Sequence, residues 1–263
     1  MSNTGFFLKS IFLGLSLLSS SCITLYKPNI VNSPLLNEKG AGNITGGLGI
    51  SGSGLANLQG AYAYSDNKAL MLNLMVHSRR TDSVNNGNSQ HLLLYFGEVG
   101  IGYFKNLNKR RTLLFQNYGG IGLGSSSDKI IGGTETPSIS ANYATLFIQP
   151  AVAITSRNID LALDIRGNFV QMFNVNGYLY ERFDWWNTDF ILHKDTSYNF
   201  INIEPALTIR AGDNRVKGFL QLGAILPVYN PNNYFVSNSE SYILFPLIKL
   251  SLGLTYQFGR KTD

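Results

Sequence analysis

The sequence predicts an all-β fold: a closed antiparallel up-and-down transmembrane β-barrel of about ten strands. Three observations predict it. Long stretches alternate apolar and polar residues with a period of two. The connections between them alternate short and long. Charged residues make up only 14% of the chain, against roughly 25% in ordinary soluble domains. Gly (27), Tyr (14) and Phe (16) are plentiful, which suits strands joined by turns.

The first element is an address. Residues 1–21 read as a signal peptide: Lys9, then Ile11, Phe12, Leu13, Leu15, Leu17 and Leu18, then Ser19 to Ser21. The apolar run is too short to span a bilayer as a helix, which takes about 20 residues. Cys22 follows, the one cysteine of the chain. It cannot form an internal disulfide, and an unpaired cysteine in an exported chain calls for an explanation. Small residues before a cysteine resemble the lipobox of bacterial lipoproteins, although Ser19 stands where that pattern has Leu. The resemblance implies lipidation at Cys22. No acidic cluster follows Cys22, which points to a lipid tail on the periplasmic side. Residues 22–41, with "YKPNIVNSPLLNEKG", have Pro and Asn punctuation and no period; they are expected to form an extended lead-in.

The barrel is expected over residues 42–259, with a tail at 260–263. Residues 42–51 and 55–65 are Gly-rich alternating stretches. Residues 69–79 set Leu70, Leu72, Leu74 and Val76 against Asn73, His77 and Arg79. Residues 90–104 and 111–124 are again Gly-rich. Residues 143–155 set Leu146, Ile148, Val152 and Ile154 against Thr145, Gln149 and Thr155. Residues 159–170 set Ile159, Leu161, Leu163, Ile165 and Phe169 against Asp160, Asp164, Arg166 and Asn168. Residues 197–210 set Ile201, Ile203, Leu207 and Ile209 against Asn202, Glu204, Thr208 and Arg210. Residues 216–226 alternate weakly. Residues 242–258 do so most clearly, with Leu250, Leu252, Leu254, Tyr256 and Phe258 on one face.

Turns at 65–68, 106–111, 155–158 and 212–215 are short, whereas 80–89, 125–142, 172–196 and 227–241 are long; the first hairpin, 51–54, alone is short where a long one is expected. A soluble sandwich would need a more charged exterior, and a lipocalin-like cup would reverse the faces. Neither predicts the loop alternation. An even strand number is expected to place both termini on the periplasmic side with the short turns. Parity puts Tyr62, Tyr64, Tyr103, Tyr256 and Phe258 on the outer face at that end, as an aromatic belt.

Prolines recur in "FIQPAVAI" (147–154), "NIEPALTI" (202–209) and "LFPLIKL" (244–250), each facing outward by parity. A proline gives up a ladder hydrogen bond, so each is expected at an irregularity or near a rim. These I-Q/E-P patterns and the lead-in resemble those of outer-membrane β-barrel lipoproteins of Gram-negative bacteria, a family without a defined activity. The resemblance implies fold and location only.

The inward face carries Glu98, Asp160, Asp164, Arg166, Glu204, Arg210 and Lys249. These four acids and three bases nearly cancel, which reads as a salt-bridged filling of a narrow lumen; the alternatives are a selective pore or a catalytic cluster. Barrel hydrolases pair His with Ser, Glu or Asp. Here the residues two places after His77, His91 and His193 are Arg79, Leu93 and Asp195, so no Ser has that spacing and His193 with Asp195 is the one close His–acid pair. No enzyme is expected, and a barrel-embedded hydrolase is the lesser alternative. Three scattered His and one Cys suggest no metal site, and no cofactor is expected. The net charge of +5 is spread along the chain, which argues against a nucleic-acid partner. Trp185 and Trp186, in the longest loop, are the candidates for surface contact; the other reading is that both flanking strands extend there as a twisted hairpin with the aromatics packing across it. The expectation is a lipoprotein of the outer membrane, with lipid and lipopolysaccharide as its surroundings. Its role is structural or interactive through the loops; the alternative is a narrow pore for small solutes.

Overall fold

A computed structural model describes residues 25–49, 55–82, 89–131, 138–182, 188–213, 215–229 and 248–259. The strands are β1 (Gly42–Gly49), β2 (Leu55–Ala63), β3 (Lys68–Asp82), β4 (Ser89–Asn106), β5 (Leu113–Ile131), β6 (Ser138–Thr155), β7 (Ile159–Arg182), β8 (Thr188–Gly212), β9 (Val216–Ala224), β10 (Leu226–Tyr229) and β11 (Ile248–Phe258). Each of β1 to β8 pairs with the next, antiparallel; β9 pairs with β8 and β11, and β11 returns to β1. Ten strands therefore close a ring in up-and-down order. Ala206 faces Gly223 and Ile203 faces Leu226, so β10 continues β9 past Ile225 along β8 and adds no place to the ring. Among the described residues, every strand of the closed ring is paired on both sides, so the wall satisfies backbone groups along its paired lengths.

The period-two pattern becomes two faces. Outward residues include Leu70 to Val76 on β3, Leu146 to Ile154 on β6, Ile159 to Phe169 on β7 and Ile201 to Ile209 on β8, alternating with buried polar neighbours. Toward the long-loop end the outer face turns polar, at Ser78, Ser125, Ser140, Gln171 and Asn199. Tyr62, Tyr64, Tyr103, Tyr256 and Phe258 are exposed at the short-turn end.

The strands overrun the lengths that alternation predicts. Segment 125–142, expected as a loop, is strand throughout its described residues, where Lys129 faces Ser138, and the β7–β8 pairing continues to Arg182 and Thr188 as an extended hairpin. Beyond the apolar band the outer face turns polar while inward positions such as Ile139, Ala141 and Met172 are apolar, so the apolar-out, polar-in pattern is lost while the ladder persists. Bulges at Met172/Val175 and Val175/Gly177 bend this extension. Gly177 has a φ of 130°, and a Cβ there would run into the Ser138 carbonyl.

The prolines mark gaps in the ladder. Between β6 and β7 the pairing skips from Ile148 to Ala151, around Pro150. Pro205 sits where β8 has lost its partner between β9 and β10. Pro246 lies outside the described residues.

Residues 25–41 contain no strand, yet from Leu25 to Leu36 every residue is buried, inside the barrel. Leu25, Tyr26 and Ile30 join Phe96, Ile139, Tyr143, Met172 and Phe200 in one apolar cluster toward the long-loop end. Leu35 and Leu36 join Ala63, Ala69, Phe104, Leu114 and Tyr118 in a second cluster at the short-turn end. Among the described residues β11 ends at Phe258 on the short-turn side, whereas Leu25 lies toward the opposite mouth; the two termini themselves lie outside the described residues. Strand parity fixes the ends of the strands and says nothing of a segment that folds back through them.

Candidate functional site

Among the described residues, charged and amide side chains converge in the lumen, and the lead-in passes through it. Parity on β1, β2, β3, β5, β6 and β9 points Asn43, Gln59, Asn73, Gln116, Gln149 and Gln221 inward, where all are buried. An amide both donates and accepts, so these side chains can satisfy a backbone that has no strand beside it. Arg111 Nη1 meets Glu38 at 3.2 Å, and Asn106 Nδ2 donates to the Asn37 carbonyl at 2.9 Å, both at the short-turn end. Asn43 donates to the Pro34 carbonyl. The Leu35 N–H donates to Gln116 Oε1 at 3.1 Å. Arg210 donates to the Ser33 carbonyl, and Ser33 Oγ donates to Asp164. Gln149 donates to the Asn32 carbonyl at 2.6 Å, and Asn32 Nδ2 to Asn73 Oδ1 at 2.6 Å.

The ascent continues above this layer. Gln221 takes the Val31 N–H at 3.0 Å and donates to the Val31 carbonyl at 2.8 Å, as a neighbouring strand would. Gln59 donates to the Ile30 carbonyl at 2.8 Å, and Lys249 to the Asn29 carbonyl at 3.1 Å. Lys27 Nζ lies 3.4 Å from His77 Nε2. Asn168 donates to the Tyr26 hydroxyl at 2.7 Å, and the Tyr26 ring meets Tyr143 and Phe200 edge-on at 5.2 and 5.4 Å. Pro28 and Pro34 carry no N–H, which removes two donors the lumen would otherwise have to satisfy.

The seven inward charges named from the sequence are all buried in this space. Arg166 donates to both Glu98 oxygens, at 2.9 and 2.5 Å, and its guanidinium lies 4.1 Å from the centre of the Phe147 ring. Asn73 also donates to Glu98, at 2.6 Å. Lys249 meets Glu204 at 2.9 Å. Asp160 pairs at 2.9 Å with Lys217, a residue that sequence reasoning missed. Its signal was parity: Lys217 is the second residue of β9 and faces inward. With it, four acids meet four bases. Three of these charges also reach the lead-in: Asp164 and Arg210 through Ser33, and Lys249 through the Asn29 carbonyl.

Small inward residues make room for this filling. A Cβ on Gly47 would meet the Phe219 ring and the Ile30 side chain, so that glycine lets the lead-in pass close to β1.

Cys22, Trp185 and Trp186 lie outside the described residues, as does the His193 side chain. His91 Nε2 lies 3.4 Å from Ser89 Oγ, on the wall away from the lumen charges. Among the described residues no group of three or more His, Cys, Asp or Glu is placed to hold a metal ion. The missed feature is the lead-in itself. Between Lys27 and Glu38 it holds no charged residue, which is unusual for an exposed linker.

No protein-family model and no curated protein matches the chain.

Proposed function

We propose that this chain is an outer-membrane β-barrel lipoprotein with a structural or surface-interaction role. It would be exported by residues 1–21, lipidated at Cys22, and would meet its surroundings through the long loops. The outer wall carries this reading. A belt of Leu, Ile and Val encircles the ring, aromatic at one margin and polar beyond the other. Such a surface suits a bilayer, where a tilted strand crosses in about 9–11 residues. Lipid and lipopolysaccharide are the contacts that belt would make.

A conducting pore is the weaker reading, because the lead-in and its amide partners occupy the lumen. Reconstituted into a planar bilayer, the full chain is expected to give no discrete channels; steady unitary currents would overturn the plugged reading. Unboiled samples should migrate faster on a gel than boiled ones, as a closed barrel does, and the absence of that shift would sink the membrane barrel. Labelled palmitate should enter the wild type and not Cys22→Ala. Equal labelling of both would remove the lipid from the proposal.

A further inference from the structure

The lead-in has a direction. Its partners climb the wall in order, from Asn106 and Arg111 by the short turns to Tyr143, Met172 and Phe200 toward the long loops. Read backwards from Gly42, the chain rises through the whole polar layer and reaches the long-loop half at Tyr26 and Leu25. The ring around it is closed by hydrogen bonds on every side. An end that has climbed this far inside a closed wall has its nearest exit ahead of it. Turning back would need a second chain through a lumen already filled by side chains.

The geometry points to a self-threaded topology: the chain preceding Leu25 leaves the barrel at the long-loop mouth, on the face opposite the end of β11. This rests on the proposed reading that the barrel spans the outer membrane with its long loops outward. The displayed surface is then the amino-terminal side of the chain together with those loops. Cys22 is three residues from Leu25, within about 11 Å along an extended chain. A lipid on Cys22 would therefore enter the outer leaflet beside the mouth, not the periplasmic leaflet. A threaded chain with lipid at one end and strands at the other cannot enter a finished ring. The wall must close around the lead-in.

The test uses the full chain in intact cells with one short epitope at a time: after Thr24, within 183–187, or after Asp263. Antibody should bind the first two on intact cells and the third only after permeabilisation. If the 183–187 epitope is hidden on intact cells, the membrane orientation fails. If that epitope is exposed and the Thr24 epitope appears only with the Asp263 one, the threading fails alone. A second measurement does not depend on an insertion. A photo-crosslinking benzoylphenylalanine at position 26 should join peptides holding Tyr143 or Phe200. Joining to the 106–112 turn instead would overturn the threaded path.

Discussion

Arg166 shows how a full charge is kept in the middle of the lumen. Both Glu98 oxygens accept from its guanidinium, Asn73 donates to the same carboxylate, and the Phe147 ring covers the arginine face. Breaking such a buried pair from one side strands the other charge, at a cost of about 3–5 kcal/mol. Glu98→Leu alone should therefore lower the urea midpoint of the detergent-folded barrel strongly. Glu98→Leu with Arg166→Met should recover much of that loss, because no uncompensated ion is left. Additive losses in the double variant would show that the two residues do not act as a pair. Ser33 holds a smaller share. Ser33→Ala removes one donor from buried Asp164 and leaves Gln149 at 3.0 Å; the expected loss is about 1–3 kcal/mol by the same measurement, and none at all would contradict the contact.

The lead-in is an element without secondary structure, held by side chains that stand in for a neighbouring strand. Gln221 does this most fully, since it both accepts from and donates to Val31. Gln221→Leu should speed hydrogen exchange at the Val31 amide while the Leu35 amide, held by Gln116, changes little. Uniform acceleration along 29–37 would mean that the lead-in is held as one unit, and no change at Val31 would remove Gln221 from the account. The strands were legible because the outer face of each is apolar and the inner face polar: Leu70 to Val76 and Ile159 to Phe169 declare themselves by alternation. That signal stops at Ser125, Ser140 and Gln171, where the outer face becomes polar, so the upper reaches of β5 to β8 read as loops. The wall charges followed from parity, except Lys217 in a weakly patterned strand. The lead-in could not be placed by any period. Its partners are scattered over every side of the ring, and only the closed fold brings them together.

For the molecule as a whole, if the belt lies in a bilayer as proposed, depth sets the cost of a charge on the outer face. Along β6 and β7, Ile148 and Ile165 lie about mid-way between the short-turn ends of the strands and the polar margin at Ser140 and Gln171. An outward Arg costs about 2–4 kcal/mol at the midplane of a barrel and about 0–1 near its edges. Ile148→Arg and Ile165→Arg should therefore destabilise folding into lipid vesicles far more than Ser140→Arg or Gln171→Arg. The same substitutions in a soluble sandwich or cup would show no such ordering, because nothing would distinguish one height on an exterior from another. The reverse experiment reads the inside. Thr145 and Thr208 sit at comparable heights but face inward, and an Arg there would meet the packed lead-in and not lipid. Its cost should follow the filling of the lumen: Thr208→Arg, beside Gln221 and Val31, should expose the lead-in to exchange as well as weaken the barrel. If outward Arg substitutions cost the same at every height, the belt is not a membrane belt. If Thr208→Arg leaves the lead-in protected, the lumen holds more space than a filled barrel allows.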